Sequence, residues 1–304
     1  MQEDLLKSLT VSQNPDGGWG YFTGKRSALE PTAFSLLALG CTPNNHSAID
    51  KGIGFLKLFQ GGTGGWPVNL VSREPAAWVT ALAGTAIQEC EGENQQTQQA
   101  AQFLVGSFSR MKVDWLTRLR ERIGWGNSLN VDRRLGGWGW NPETAKWVEP
   151  TCLSLFCLNL VKGAVRRPAL TACLAEGERM VYDRMCRAGG WNYGNSHVLG
   201  EDLRPYPLTT ALALIALQKY PSRPENQQSL HYLGAAAKQE PSALALCFAI
   251  LCLDLYQQEW RSLLTRLETL YHETGFLGDL RTKALALLVI SASQGRNVFQ
   301  YASA

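Results

Sequence analysis

The sequence lacks the signatures of several common classes of protein. It has only four histidines, none beside an Asp-x-Cys, and its eight cysteines form no CxxC pair, so neither a zinc site nor a dithiol motif is predicted. No P-loop, dinucleotide-binding fingerprint or HExxH occurs. The longest apolar stretches, 207–217 and 243–253, are too short to span a bilayer. The net charge of +3 is too small to indicate a nucleic-acid-binding protein.

The cysteines and the N-terminus bear on localisation. Four cysteines lie within apolar helical runs, namely Cys152, Cys157, Cys247 and Cys252. Buried, reduced thiols are typical of cytosolic proteins. The first residues, 1–4, are polar, and no apolar segment of a secretory signal follows them. We therefore expect a cytoplasmic protein that holds no metal and no cofactor.

A repeat organises the sequence. A double glycine followed by tryptophan begins at Gly17, Gly64, Gly136 and Gly189. The first three copies lead to Glu-Pro and an apolar segment, and the fourth leads to Pro207. A fifth unit has no Gly-Gly-Trp and passes directly to residues 240–241, whereas a sixth turns at Gly275. Repeats of this length predict stacked units of supersecondary structure.

Each unit reads as two helices joined by the glycine-rich turn. The first helix of each pair is amphipathic, and the second is apolar all round, as in residues 33–39 and 211–217. A helix that is apolar on every side is buried on every side. Six amphipathic outer helices around six apolar inner helices predict an all-α protein, an (α/α)6 toroid in which residues 1–304 form a single domain. We expect a central cavity at the ends of the inner helices. Five of these helices are predicted to begin at a proline, and the sixth at about Leu280.

The second unit resembles the QW repeat of squalene-hopene and oxidosqualene cyclases. The matching positions are Lys51, Gly52, Phe55, Leu56, Gln60, Gly64 and Trp66. The first unit matches from Leu9 through Gln13 and Gly17 to Trp19. The wider superfamily includes class II diterpene cyclases and the β-subunits of protein prenyltransferases. The resemblance implies a toroid that handles an isoprenoid or a similar lipid-like molecule, as an isomerase or a lyase.

The same resemblance suggests where a proton donor would lie. Those cyclases protonate their substrate with Asp-x-Asp-Asp followed by Thr-Ala, and this sequence contains no Asp-x-Asp-Asp. Alignment of residues 32–33 and 151–152 with Thr-Ala places Glu30 and Glu149 where the family has its proton-donating aspartate. Glu149 is the leading candidate acid, because its unit is the most aromatic.

Extending the alignment to all six inner helices predicts a ring of mostly acidic residues at one mouth of the cavity. Its members are Glu30, Glu74, Glu149, Tyr206, Glu240 and Asp279. Clustered carboxyls raise one another's pKa, and a carboxyl with a raised pKa can donate a proton. We therefore take Glu30, Glu74 and Glu149 as candidate catalytic residues. The alternative is structural, because a carboxylate at a helix N-terminus is stabilising by about 0.3–1 kcal/mol.

The aromatic residues fall into two groups. The tryptophans of the turn motif, at 19, 66, 138 and 191, are expected to pack between hairpins. The aromatic residues outside the motif are expected to face the ligand, since aromatic faces stabilise cations. These are Trp78, Trp140, Trp147, Tyr193 and Tyr206. Glu240 and Asp279 would complete the binding site, and Arg204 could meet a diphosphate.

An insertion at residues 110–134 interrupts the third unit. It is rich in arginine, and its apolar residues, two tryptophans among them, have the spacing of one helix face. A basic amphipathic helix of this kind can lie on a membrane surface. It could also be a lid, a protein-binding helix or a plain surface helix. Two alternatives to an enzyme stay open, a toroid that only binds lipid or peptide and a prenyltransferase-like subunit that needs a partner chain.

Overall fold

The computed structural model describes residues 1–71, 74–111, 131–142, 144–161, 167–275 and 277–301. Most of the predicted insertion helix, 112–130, lies outside the described residues. In this part of the chain, twelve α-helices alternate between an outer and an inner position. The outer helices are α1 (Gln2–Val11), α3 (His46–Leu58), α5 (Gln95–Ser107), α7 (Arg167–Asp183), α9 (Pro224–Ala236) and α11 (Arg261–Thr274). The inner helices are α2 (Leu29–Gly40), α4 (Ala77–Glu91), α6 (Val148–Leu160), α8 (Pro207–Ala216), α10 (Ala243–Leu255) and α12 (Leu280–Ser293).

The six inner helices form a closed ring. Each packs against the next inner helix along the chain, and α12 packs against α2 to close the circle. Each outer helix covers the outside of the ring, with α1 seated on α12. The predicted (α/α)6 toroid is therefore confirmed. None of the helices in the described ranges combines the length and apolarity needed to cross a bilayer.

Short strands and one 3₁₀ helix complete the described elements. Strand β1 (Ser109–Arg110) pairs antiparallel with β2 (Gly136–Gly137), and β3 (His197–Val198) pairs antiparallel with β4 (Glu201–Asp202). The 3₁₀ helix spans Ala237–Gln239 and follows α9. All four strands lie between an outer helix and the next inner helix. These connections therefore lie at the N-terminal ends of the inner helices.

The tryptophans of the turn motif join the two helices of a hairpin. All four are fully buried. Each indole N–H donates to a backbone carbonyl of the preceding outer helix, and each tryptophan backbone N–H donates to a threonine Oγ1 at the fourth position of the following inner helix. The indole acceptors, at 2.6–2.8 Å, are Leu9, Leu56, Leu104 and Val181. The threonine acceptors, at 2.9–3.1 Å, are Thr32, Thr80, Thr151 and Thr210.

The glutamine and glycine of the turn join one hairpin to the next. Gln60 Nε2 donates to the carbonyls of Gly64 and Gln96, at 2.9 and 3.0 Å, and Gln96 belongs to α5. Gly64 has a φ of +88°, and a Cβ there would lie 2.4 Å from the carbonyl oxygen of Gln99. Only glycine fits this combination of a left-handed backbone and a close approach to the next outer helix.

The starts of the inner helices differ from the prediction in four of the six units. Helices α4 and α10 begin two residues after Pro75 and Pro241, whereas α2 and α6 begin two residues before Pro31 and Pro150. Only Pro207 occupies the predicted first position. The first four N–H groups of a helix have no intrahelical partner, so proline is tolerated throughout the first turn and does not fix where a helix begins.

Candidate functional site

A cavity of about 220 Å³ opens at the N-terminal ends of the inner helices. Every inner helix contributes its second residue to the wall. These residues are Glu30, Trp78, Glu149, Leu208, Leu244 and Arg281. The symmetry of the toroid therefore places one side chain from each hairpin around a single mouth.

A second tier lies one helical turn deeper. Five inner helices contribute the residue four positions after the first-tier residue, which are Phe34, Leu82, Leu153, Leu212 and Phe248. Residues four apart lie on the same face of a helix, about 6 Å along its axis. Trp140, in the loop before α6, completes the wall. The cavity is thus apolar below a mouth that carries two carboxyls and one guanidinium.

Glu149 is the most buried carboxyl of this wall, with 8% of the residue exposed. Its Oε1 accepts a hydrogen bond of 2.8 Å from Thr209 Oγ1 on α8. Burial raises the pKa of Glu149, the charge of Glu30 raises it further, and the Thr209 hydrogen bond acts in the opposite direction. The N-terminus of α6 also favours the charged carboxylate. Desolvation is the largest of the causes, so the pKa of Glu149 lies above that of an ordinary glutamate.

Glu30, the other carboxyl of the cavity wall, is paired with a cation. Arg281 donates to Glu30 Oε1 at 2.9 Å and to Asp279 Oδ2 at 3.2 Å. The Tyr21 hydroxyl donates to Glu30 Oε2 at 2.5 Å. Burial, followed by the charge of Glu30, raises the pKa of Tyr21, so this phenol keeps its proton. The two glutamates therefore occupy different environments, one ion-paired and one buried in a largely apolar wall.

Two tryptophans of the wall meet edge to face. The ring centroids of Trp78 and Trp140 are 5.5 Å apart, and the rings are inclined by 70°. Both side chains are only partly buried, so part of their surface faces the open space. Aromatic rings in this arrangement can present a negative π face to a cation.

The remaining predicted residues lie outside the cavity wall. Glu74 is exposed three residues before α4, and Glu240 Oε1 accepts a hydrogen bond from the Ser242 backbone N–H ahead of α10. Asp279 caps α12 by accepting from the Thr282 backbone N–H at 2.8 Å. The prediction of one acidic ring was wrong for these three helices, because the residue that lines the cavity comes later in the sequence than the aligned acidic residue. The second helical residues of α4, α10 and α12 are Trp78, Leu244 and Arg281.

The predicted contacts of the fourth unit, Tyr193, Arg204 and Tyr206, lie outside the cavity wall in the loop that leads into α8. Tyr193 and Tyr206 pack together with ring centroids 5.3 Å apart, and both are exposed. The guanidinium of Arg204 lies 6.0 Å from the Tyr206 ring. Trp147, which the sequence predicted to line the cavity in the third unit, also lies outside its wall. It is the N-cap of α6, and its backbone N–H donates to the Trp138 carbonyl.

Sequence reasoning missed Arg281 and Thr209. Arg281 could have been found from the predicted start of α12, because it is the second residue of that helix. Thr209 had no such signal, since it is one small polar residue in an apolar run and is identified only by its contact with Glu149.

Comparisons with known proteins agree with the toroid. No family model and no curated protein matches the sequence. Among solved structures, a substrate complex of a variant type II terpene cyclase, MstE from Scytonema, is 14% identical with a TM-score of 0.56, covering 96% of this chain and 97% of that one. The GH76A alpha-1,6-mannanase of Salegentibacter sp. is 13% identical with a TM-score of 0.62, covering 96% and 98%. An alpha-amylase from Clostridium perfringens is 10% identical with a TM-score of 0.65, covering 96% and 98%.

These likenesses establish a shared fold. The chain has the terpene-cyclase-like (α/α)6 toroid, and the same fold also carries enzymes that act on polysaccharides. The fold alone therefore does not determine the function, which depends on the residues of the cavity.

Proposed function

We propose that the protein is an enzyme of the terpene cyclase type that protonates an isoprenoid or another apolar alkene and so starts a cyclisation or isomerisation. The observation that carries the proposal is Glu149, a buried carboxyl with a raised pKa in the wall of an otherwise mostly apolar cavity. A carboxyl whose pKa is raised by an apolar site keeps a proton to donate.

The proposed reaction assigns different roles to the two glutamates. Glu149 gives its proton to one alkene carbon, the π electron pair forms the new C–H bond, and the neighbouring carbon becomes a cation. In cyclisation, a second alkene of the same molecule attacks that cation, which closes a ring and moves the positive charge to another carbon; in isomerisation no ring forms. In both routes a C–H next to the final cation gives its proton to water, and its electron pair forms the new C=C bond of the product. Glu149 then regains a proton from water. Glu30, paired with Arg281, supplies fixed negative charge at the mouth.

The lining of the cavity supports an apolar substrate. Five leucines and two phenylalanines face the space, and Trp78 and Trp140 can stabilise a cation through their π faces. A saccharide would leave several hydroxyls without partners against this wall, and each unpaired polar group costs about 1–3 kcal/mol. Two carboxyls in a toroid are therefore better explained here by alkene chemistry than by glycoside hydrolysis.

Exposed apolar residues on three of the six loops at the mouth form an apolar rim that supports contact with a membrane. Eight exposed apolar or aromatic residues lie on loops that lead into inner helices, namely Tyr21, Phe22, Val68, Val71, Tyr193, Leu199, Leu203 and Tyr206. Contact of this rim, together with the basic segment 110–134, with a bilayer surface would deliver an apolar substrate to the cavity. We expect the protein to co-sediment with anionic phospholipid vesicles. If it stays in the supernatant at low salt, the membrane contact is refuted.

A product assay tests the enzymatic proposal. The purified protein is incubated separately with isoprenoid alcohols and diphosphates of ten to twenty carbons and with squalene, and products are separated by mass-resolved chromatography. We expect an isomer of one substrate, with unchanged mass and a changed retention time. If a substrate binds without conversion, the toroid only binds lipid. If conversion requires a cell extract, the chain acts as a subunit with a partner.

A further inference from the structure

The C-terminal segment 297–301 closes the end of the toroid opposite the mouth. Asn297 Nδ2 donates to the Leu251 carbonyl at 3.0 Å and to Asp254 Oδ2 at 2.8 Å, both near the C-terminal end of α10. Gln218, just after α8, donates to the Phe299 carbonyl at 2.8 Å and accepts from the Tyr301 N–H at 3.0 Å. The segment is therefore anchored across the C-terminal ends of two inner helices.

Aromatic side chains connect this segment to the floor of the cavity. Phe299 is 4% exposed, and its ring lies 5.5 Å from Phe156 and 6.0 Å from Phe248. Phe248 in turn meets Phe34 at 6.1 Å, and these two residues line the cavity. Phe248 is therefore held between Phe34 and Phe299. The C-terminal segment is the back wall against which the cavity floor rests.

The volume in front of this floor limits what can enter. A cavity of about 150 Å³ holds one benzene molecule, so the 220 Å³ here corresponds to roughly nine buried heavy atoms. That size is close to that of a ten-carbon isoprenoid, which consists of two five-carbon units. A chain of fifteen or twenty carbons cannot be buried completely unless Phe248 moves, and Phe299 blocks that movement from behind, so the excess carbons stay in the open mouth.

We infer that Phe299, carried by the C-terminal segment 297–301, determines how long an apolar group the cavity can bury and limits that group to about ten carbons. The inference rests on the proposed function for its choice of isoprenoids, but its test measures binding alone. Removing the Phe299 ring gives Phe248 space to swing away from Phe34 and deepens the cavity.

The experiment is calorimetric titration with primary isoprenoid alcohols of five, ten, fifteen and twenty carbons. In the unaltered protein we expect affinity to rise from the five-carbon to the ten-carbon alcohol and not to rise further at fifteen carbons, because the additional carbons find no apolar surface to bury against. In Phe299→Ala the affinity ratio of the ten- and fifteen-carbon alcohols should move by about tenfold or more towards the longer alcohol. Phe299→Leu should shift it in the same direction by less, and carries the test if the alanine variant does not fold.

The matched control is Phe55→Leu, because Phe55 is equally buried but packs on Phe59, away from the cavity wall. It should lower thermal stability without changing the dependence of affinity on length. An unchanged ratio in the folded Phe299 variants, or no binding of any alcohol, overturns the inference. Binding with the expected dependence on length but without any product supports the inference and contradicts the proposed catalysis alone.

Discussion

Replacing Glu149 by glutamine is expected to reduce turnover of the alkene substrate by about 10²- to 10⁴-fold, the usual contribution of a general acid. Glutamine keeps the size of the side chain and can still accept the Thr209 hydrogen bond, but it has no acidic proton to donate. Substrate affinity should change little, since the remaining wall is intact. The measurement is single-turnover kinetics alongside equilibrium binding of the same substrate.

The pH profile gives a second readout of the same residue. Burial raises the pKa of Glu149, so its protonated, active form persists to a higher pH than for an ordinary glutamate. Activity should be full below this raised pKa and fall as pH rises through it. The Thr209→Val substitution removes the hydrogen bond that lowers the pKa of Glu149. In this variant the fall in activity should therefore occur at a still higher pH.

The contribution of Glu149 to the free energy of unfolding should depend on pH in the opposite sense to that of a salt-bridged carboxylate. The folded protein holds the Glu149 proton more tightly than the unfolded chain, so the free energy of unfolding should fall as pH rises from the unfolded pKa to the folded one. The Glu149→Gln variant does not lose stability in this way, so its melting temperature at pH 8 should be no lower than that of the unaltered protein. Glu240→Gln is the matched control outside the cavity wall and should leave both turnover and this dependence unchanged. Equal loss of turnover in both variants would contradict the assignment.

Trp138→Ala is expected to lower the free energy of unfolding by about 3–5 kcal/mol, the usual cost of deleting a fully buried aromatic residue. Trp138 is 1% exposed and its indole meets Phe108 with ring centroids 5.0 Å apart. The substitution also leaves the Leu104 carbonyl without the donor that now lies 2.8 Å away. Denaturant unfolding measures the change.

Trp140 provides the comparison within the same loop. It is only partly buried and lines the cavity, so Trp140→Ala should cost less than half the stability lost in Trp138→Ala. It should instead weaken ligand binding, because it removes one partner of the Trp78 pair. If the two alanine variants lost equal stability, the division between structural and cavity tryptophans would not hold.

The fold could be predicted because the Gly-Gly-Trp turn motif occurs four times and forms the same kind of turn each time. Glycine before tryptophan is required where the turn approaches the next outer helix, as at Gly64, and the tryptophan is required where it bridges two helices. The alternation of amphipathic and apolar segments then defines which helices are inner. The turn motif and this alternation can both be recognised in the sequence, because each depends on residues that lie close together along the chain.

The site was predictable only in part, for a physical reason. Glu30, Trp78, Trp140 and Glu149 were singled out and do line one cavity, which leaves their catalytic and binding roles to be tested. The register at other helices could not be read from proline, since proline is tolerated anywhere in the first turn. The contact behind the cavity floor could not be predicted either. Phe299 belongs to no repeat, and only the folded chain brings it against Phe248.

The most direct test of the central claim, proton donation by Glu149, is to run the reaction in D₂O and measure deuterium in the product by mass spectrometry. The Glu149 carboxyl exchanges its proton with the solvent between turnovers, so the account predicts one deuterium in each product molecule, carried at the carbon that receives the proton. Glu149→Gln should form labelled product about 10²- to 10⁴-fold more slowly than the unaltered protein. A product formed at the normal rate with no deuterium, or labelled product formed equally fast by the glutamine variant, would contradict the account.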